Sequence, residues 1–308
     1  LYQACGAGLH RPPLLGNLER GWGLMRIGFI GAGKVGCSLG GYLARAAAVS
    51  GFYSRSLSSA QQAASFTGTA CFSSLEAAVK ASDTLLLTVP DGAIPAVWEQ
   101  LRTLPLQNKK IGHCSGYLSS AVFTGIRSTG AFGCSVHPLY AVSSRRAVQE
   151  LSNASFTLEG SFCCTQAFSA LLQQLGNPVR VIEPADKPRY HAAAAFASNL
   201  PIALWQAAVE LLESCGFSEA EARTALAPMI TGNAAAFCEK GAQAALTGPV
   251  ERADAGTVAG HLAAIPPKDA ALYRPLSQKL VEIARAKHPN RDFRAVERAL
   301  QESGAFNS

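Results

Sequence analysis

The sequence predicts an α/β protein with a doubly wound parallel sheet in its first half and an all-α second half. From residue 25 to residue 183, short apolar runs alternate with helical segments, the pattern of a parallel sheet covered by helices on both faces. Beyond that point the strand-like runs stop, and alanine-rich segments with helical spacing continue nearly to the end. A chain of 308 residues is long enough for two cores.

This change in the sequence pattern divides the chain into three parts. Residues 1–24 form an N-terminal extension, which lacks the continuous apolar run of a secretory signal. Residues 25–183 form the sheet domain. Residues 184–308 form a helical domain of roughly five helices, separated at Gly216, Gly248-Pro249 and Pro266-Pro267.

The elements of the sheet domain are placed from the apolar runs and the turn residues between them. The predicted strands are 26–30, 49–53, 84–89, 110–114, 132–136, 155–158 and 179–182. The predicted helices are 34–48, 57–65, 75–80, 94–101 and 165–175.

The first strand leads into a glycine loop, since residues 25–36 read MRIGFIGAGKVG and place G-x-G-x-x-G between a strand and a helix. Gly31 would make the tight turn, Gly33 would let the backbone approach a pyrophosphate, and Gly36 would let the helix pack close to the strand. Ala32, Lys34 and Val35 complete the loop. The pattern predicts a Rossmann-type domain that binds a dinucleotide; the alternative is a turn that only connects strand to helix.

The end of the second strand reads Tyr53-Ser54-Arg55-Ser56, without the acid that an NAD site places there to bind the ribose hydroxyls. Arg55 can instead pair with a 2′-phosphate, helped by the hydroxyls of Ser54 and Ser56. The sequence therefore favours NADP(H) as the cofactor. A solvated loop arginine is the other interpretation.

Further polar residues follow other strands at the same edge. Val89-Pro90-Asp91 is expected to pass along the cofactor, although Asp91 could equally cap a helix. The segments His113-Cys114-Ser115-Gly116 and Val136-His137-Pro138 bring two more polar clusters to this edge, where each histidine could be structural or functional.

The first helix of the second half carries a polar stripe among small alanines. If it is one continuous helix, His191, Ser198 and Asn199 project to broadly one side, and Lys187 lies one turn earlier near the same stripe. A solvent-facing stripe with one buried asparagine is the alternative. Lys187, whose pKa burial and Arg189 would lower, is slightly favoured over His191 as a proton donor, with Asn199 and Ser115 orienting the substrate.

Composition narrows the classes of partner. The formal charge of +6 is spread without a basic face, which argues against nucleic-acid binding. Nine cysteines without CxxC or Cys/His spacing indicate no metal site and a reducing, cytoplasmic setting. No apolar run reaches the length of a membrane span, since the best candidate, 192–204, is interrupted by Ser198, Asn199 and Pro201. The weakly charged helical half predicts a homodimer.

Several segments together resemble a bacterial family of proteins regarded as NADP oxidoreductases, which join a Rossmann-like domain to a C-terminal helical domain of unassigned function. The segments are GAGKVG, YSRS, LLLTVPD, HCSG, VHPL, DKPRYHAAAAFASN and LTGPVERAD. The family looks like a distant relative of ketopantoate reductase, 3-hydroxyisobutyrate dehydrogenase and pyrroline-5-carboxylate reductase, whose helical domains commonly dimerise.

The resemblance has consequences for three positions. In the first two of these relatives a lysine and an asparagine contact the substrate, and Lys187 and Asn199 would stand in for them at a wider spacing of twelve residues. Ala253 stands where the family pattern has glycine, which matters only if that position needs a positive φ.

The function expected from these features is reduction, by NADPH, of a carbonyl or imine in a small acid, with a ketopantoate-like 2-oxo acid as the first candidate. The alternative is a non-catalytic NADP-binding sensor or scaffold, which would keep the glycine loop and Arg55 but lack an oriented proton donor.

Overall fold

A computed structural model describes residues 25–301 of the chain. The predicted N-terminal extension, residues 1–24, and the last seven residues of the predicted helical domain, 302–308, lie outside the described part.

Eight strands form one sheet in the order β3-β2-β1-β4-β5-β6-β7-β8. The strands are β1 (Arg26–Ile30), β2 (Ala48–Tyr53), β3 (Ala70–Cys71), β4 (Thr84–Leu87), β5 (Lys110–His113), β6 (Phe132–Leu139), β7 (Ser155–Gly160) and β8 (Val179–Val181). The strand order reverses between β1 and β4, and in doubly wound sheets the crevice at the carboxyl ends of such strands is where ligands bind.

Five helices accompany these strands, and six more follow. The first group is α1 (Lys34–Leu43), α2 (Leu57–Thr67), α3 (Leu75–Ala81), α4 (Ile94–Leu101) and α5 (Phe162–Gln174). The second is α6 (Lys187–Ala197), α7 (Asn199–Ser214), α8 (Glu219–Ala245), α9 (Ala255–Ala264), α10 (Pro267–Lys287) and α11 (Arg294–Gln301). The predicted fold class, a Rossmann-type sheet followed by an all-α region, is confirmed.

Three features of the sheet differ from expectation. β3 is an additional strand of two residues, too short to leave an apolar run in the sequence. β6 and β7 pair antiparallel, with His137 opposite Thr157, so the sheet is mostly rather than wholly parallel. β6 also runs to Leu139, three residues beyond its predicted end, because this pairing continues past Val136.

The sheet has an apolar core on each face. On one face Phe29 of β1 stacks on Phe52 of β2 with their ring centroids 5.0 Å apart. On the other, the buried ring of Trp98 in α4 meets Phe123 edge-on at 5.2 Å. Burial on both faces explains why these strands are continuous apolar runs rather than alternating ones.

By its contacts the chain divides into two compact units between Phe196 and Ala197. The change from strands to helices comes earlier, after β8, where the sequence places the boundary at residue 183. The two divisions therefore assign α6 differently, and the contacts group it with the sheet.

The second unit contains α7 to α11. A capping box starts α8, with the Ser218 side chain accepting from the Glu221 backbone N–H and Glu221 accepting from the Ser218 N–H. Its buried core lies around α9, α10 and α11 and consists of Val250, Val258, Val281, Ala284, Phe293, Val296 and Leu300.

Ala253 adopts a φ of +60° in the turn before α9. This is the position where the family pattern has glycine, and the backbone does need the left-handed region there. A Cβ in that region is strained, and alanine has no polar group to offset the strain.

One helical stretch, Pro184–Ser214, is long and apolar enough to cross a membrane, judged by length and composition alone. Of the 18 consecutive residues in it that are most apolar, 6% are buried within the chain. The helices break at Ser198, whose φ of −126° and ψ of −64° separate α6 from α7. The exposed apolar side chains of α7 include Leu200, Ile202 and Trp205. That no segment spans a membrane stays a prediction.

Candidate functional site

The glycine loop leaves β1 at the reversal of strand order. Gly31 has a φ of +115°, and its N–H donates to the carbonyl oxygen of Tyr53 at 2.8 Å. The hydroxyl of Thr88, just after β4, donates to the Gly31 carbonyl oxygen at 2.8 Å. The turn is thus held between the two strands that flank β1, and only glycine adopts this φ without strain.

The other two glycines of the loop differ in the space around them. A Cβ at Gly36 would lie 2.5 Å from the Gly31 carbonyl oxygen and closer still to the Thr88 hydroxyl, whereas a Cβ at Gly33 would meet nothing within 4 Å. Gly33 is the N-cap residue of α1, and no side chain caps that helix. The open space before uncapped N–H groups fits a pyrophosphate. Ala32 is buried, and Lys34 is exposed beside this space.

Arg55 is exposed between β2 and α2. The neighbouring serine hydroxyls are engaged within the turn, because Ser54 accepts from the Ser56 N–H and Ser56 accepts from the Ser59 N–H, each at 3.3 Å. Over residues 25–301 Arg55 makes no ion pair with a carboxylate. Its guanidinium can therefore take an anionic group from a ligand.

Asp91 lies after β4 and receives a hydrogen bond from the Ser115 hydroxyl at 2.6 Å. The N-cap of α4 is Ala93, so the alternative in which the Asp91 carboxylate caps a helix is wrong. The Ser115 hydroxyl also accepts from the N–H groups of Tyr117 and Leu118, at 3.1 and 2.9 Å. It thereby ties the ends of β4 and β5 together, with Val89 and Pro90 leading into this contact.

Lys187 begins α6 and points into the sheet domain, with 1% of its surface exposed. Its amine donates to the Ser115 carbonyl oxygen and to the Ser135 hydroxyl, both at 2.7 Å. Burial lowers the pKa of Lys187 to about 8, while Glu159, a buried acid of β7, opposes the shift. The predicted contribution of Arg189 is absent, because that exposed side chain pairs with Asp186 instead.

A cluster of rings surrounds Gly116, one residue beyond Ser115. Nδ1 of His137 lies 2.7 Å from the Tyr190 hydroxyl, and the His191 ring lies edge-on to those of His137 and Tyr117. A Cβ at Gly116 would come within 2.6 Å of His191 and 2.9 Å of His137. The missing side chain therefore lets two imidazoles approach the carboxyl edge of the sheet, and His191 is the exposed one.

Asn199 does not share a helix with His191. α6 ends at Ala197 and α7 begins at Asn199, so the stripe expected from one continuous helix does not form. The Asn199 amide oxygen accepts from the Ser198 hydroxyl at 3.1 Å.

The surroundings of His113 and Cys114 indicate structural roles for both residues. Burial lowers the pKa of His113 to about 4, and its ring contacts the Ser119 carbonyl oxygen and the Ser115 N–H. Burial raises the pKa of the Cys114 thiol to about 12, so it carries no thiolate near neutrality.

Three residues at this edge were not among those singled out in the sequence. Ser135 is buried within β6, Tyr190 lies between Lys187 and His191, and Glu159 is a buried acid that accepts from the N–H and hydroxyl of Ser120. Glu159 directly follows the predicted strand 155–158, and an acid at a strand end is the one signal that could have drawn attention to it.

Comparisons with known proteins agree with this architecture. A Rossmann-like domain matches residues 12–138, and the domain of unknown function DUF2520 matches residues 154–280. No curated protein matches the chain in sequence.

Solved structures share the fold over most of this chain. Protein TM1727 from Thermotoga maritima has a TM-score of 0.69 and 25% identity, over 85% of this chain and 99% of that one. The "putative NADP oxidoreductase BF3122" from Bacteroides fragilis gives 0.67 and 21%, over 84% and 98%. A reductive aminase from Aspergillus terreus, in complex with NADPH and ethyl-5-oxohexanoate, gives 0.60 and 16%, over 89% and 98%.

The last two likenesses concern the fold alone. Together with the two domain matches they confirm the arrangement that the sequence motifs predict: the chain joins an N-terminal Rossmann-like domain to a C-terminal DUF2520 domain.

Proposed function

We propose that the protein is an NADPH-dependent oxidoreductase that reduces a carbonyl or imine group of a small acid. The observation that carries the proposal is the open glycine turn beside β2, whose end bears an unpaired Arg55 and no acid. The shared fold with an NADPH-bound reductive aminase supports the same assignment.

Cofactor preference is the first test. NADPH should bind at least about tenfold more tightly than NADH, because an arginine–phosphate contact contributes roughly 1.5 to 3 kcal/mol. Arg55→Ala should reduce this preference strongly while leaving the affinity for NADH unchanged. Titration calorimetry with both dinucleotides measures it, and equal affinities in the unmodified protein would refute the assignment to NADP.

The chemistry requires a proton donor beside the hydride acceptor. NADPH, when bound, supplies the hydride to the carbonyl or imine carbon, and the oxygen or nitrogen takes a proton. His191 is the better placed donor, because its ring is exposed at the sheet edge whereas the Lys187 amine is buried and gives two of its three hydrogens to Ser115 and Ser135. Lys187 is then a positioning residue, which holds in place the carboxyl edge of the sheet beside His191.

A screen for NADPH oxidation with small 2-oxo acids, ketopantoate first, and with cyclic imines would identify the substrate. At saturating NADPH, His191→Ala should then lose roughly a hundredfold or more in turnover with unchanged cofactor affinity. Tight NADPH binding without turnover on any of these compounds would favour the non-catalytic sensor or scaffold instead.

A homodimer through the second unit is part of the proposal. Ile202 of α7 is 59% exposed within one chain, alongside other apolar side chains of that helix, and a second copy would cover them. Light scattering should show a dimer that Ile202→Glu converts to a monomer. Thr103→Glu, which adds the same charge on the first unit, should leave the dimer intact. A monomeric unmodified protein would contradict the proposed dimer.

We also propose that the protein works in the cytoplasm. The eight cysteines between residues 25 and 301 are free thiols, as a reducing compartment would keep them.

A further inference from the structure

The connection between β6 and β7 lies on α1, the helix that follows the glycine turn. The Ser38 hydroxyl donates to the Ser144 carbonyl oxygen at 3.0 Å and accepts from the Ala147 N–H at 3.1 Å. Ser38 is fully buried, so these two bonds fix the connection on the helix. The two residues between these contacts, Arg145 and Arg146, are therefore held in place from both sides.

Arg145 reaches from this connection to α2. Its guanidinium donates to the Gln62 amide oxygen at 2.7 Å and to the Ser59 hydroxyl at 3.1 Å. Ser59 lies in the first turn of α2, four residues after Arg55, so a second guanidinium stands beside the segment that carries Arg55. A guanidinium has five N–H donors, and these two bonds leave three for a ligand.

The segments around Arg145 carry more cationic than acidic residues. The segments 33–43, 54–67 and 140–154, which supply α1, α2 and the connection, contain four cationic residues and one acid, Glu150. The four are Lys34, Arg55, Arg145 and Arg146. Within the described part of the chain neither Arg55 nor Arg145 pairs with a carboxylate from elsewhere.

Open space lies next to two of these cations, Arg145 and Arg146. A cavity of about 620 Å³ is bounded by α1, α2 and the connection, and its lining includes Cys37, Gln61, Gln62, Phe66, Arg145 and Arg146. Arg146 places its guanidinium over the Phe66 ring, 5.5 Å from the centroid. Cationic and neutral polar groups around such a space favour a small anion of high charge density.

We propose that Arg145 is a second phosphate-binding guanidinium of the dinucleotide site and acts with Arg55 on the 2′-phosphate. The inference rests on the proposed function. The 2′-phosphate is favoured over the pyrophosphate because Arg145 is tied to the first turn of α2, which follows Arg55, and not to the glycine turn. Two guanidiniums from segments 90 residues apart would then select NADPH together.

The test separates the charge of Arg145 from its role in holding the connection. Arg145→Gln keeps a neutral polar side chain but removes the charge, and Arg145→Lys keeps the charge without the fork. Arg180→Gln is the matched control, since it removes the same charge from an exposed residue of β8, at the opposite end of the sheet from β2 and β3. Dissociation constants for NADPH and NADH are measured by titration, and thermal melting verifies that each variant is folded.

Arg145→Gln should weaken NADPH binding by at least about fivefold and NADH binding by less than about twofold. The NADPH affinity of Arg145→Lys should fall between those of Arg145→Gln and the unmodified protein, and Arg180→Gln should change either affinity by less than about twofold. Adenosine 2′,5′-bisphosphate should lose affinity in Arg145→Gln as NADPH does, whereas adenosine 5′-monophosphate should not.

Each contrary result has a distinct meaning. Equal losses for NADPH and NADH would overturn the inference and assign Arg145 to the pyrophosphate or to holding the connection. An unchanged NADPH preference in Arg145→Gln, with Arg55→Ala still effective, would overturn this inference and leave the proposed function standing. An unmodified protein without NADPH preference would overturn both.

Discussion

The hydroxyl oxygen of Tyr190 lies 2.7 Å from Nδ1 of His137, which ties the first helix after the sheet to β6. The two rings are also perpendicular, with their centroids 5.6 Å apart. Burial, reinforced by Lys187, His191 and His113, lowers the pKa of His137 to about 3. The imidazole is therefore neutral near pH 7, and the Tyr190 hydroxyl can donate to it.

This pair predicts an acid-sensitive stability. Between pH 6.5 and pH 3 an unfolded His137 is protonated while the folded one is not, so the unfolded chain binds more protons and stability falls as the pH falls. Between pH 7 and pH 5, the free energy of unfolding of His137→Gln should fall by about 2 kcal/mol less than that of the unmodified protein. Urea unfolding at both pH values measures the difference, and parallel losses in the two proteins would show that His137 does not carry it.

The two glycines of the loop should respond differently to the same substitution. Gly33→Val should abolish dinucleotide binding in a folded protein, because its side chain would enter open space before α1. Gly36→Val should destabilise the fold itself, since its Cβ would collide with the Gly31 carbonyl oxygen and the Thr88 hydroxyl. Thermal melting and NADPH titration of both variants test this, and a folded Gly33→Val that still binds would place the phosphates elsewhere.

Ala253→Gly should stabilise the second unit. The φ of +60° destabilises alanine in the folded state by roughly 1 to 2 kcal/mol. Glycine relieves this strain, but its greater freedom also stabilises the unfolded chain, so the net gain in the free energy of unfolding is about 0.5 to 1 kcal/mol. Ala263→Gly, inside α9, is the control and should destabilise instead. Denaturant unfolding measures both; a loss of stability in Ala253→Gly would contradict the strain.

Lys187→Met should cost about 2 to 3 kcal/mol, because Ser115 and Ser135 lose a charged hydrogen-bond donor. The pKa of about 8 adds a pH signature. Between pH 8 and pH 10.5 the unfolded lysine holds a proton that the folded one has released, so the unmodified protein gains stability as the pH rises through this window. Urea unfolding at pH 7.5 and pH 9.5 should show the gain, and Lys187→Met should lack it.

The sequence predicted the elements whose signals are local. β1 was placed correctly at Arg26–Ile30 because an apolar run leads directly into the glycine pattern, and α4 was correct at Ile94–Leu101. β3 was missed because two residues leave no periodic signal, and the direction of β7 was not foreseen because apolar content does not encode strand direction.

Long-range contacts limited prediction of the candidate site. The strand ends placed Ser115 at the carboxyl edge, but the hydrogen bonds that Ser115 makes with Asp91 and Lys187 connect residues 24 and 72 positions apart. Asn199 was placed wrongly because one continuous helix was assumed, although Pro201 in the first turn of α7 marks a new helix start. Arg145 lies in no sequence motif, and only its contacts with α2 distinguish it from other surface arginines.

The sheet terminates on both sides in very short strands, β3 of two residues and β8 of three. An outermost strand normally presents a row of unsatisfied backbone groups on which another chain can add a strand, and short, charged strands remove most of that template. β8 also carries Arg180. Joining of two sheets into one continuous sheet, and aggregation by the same route, are therefore disfavoured at either margin. The proposed homodimer is therefore expected to form through helices rather than through the edges of the sheet.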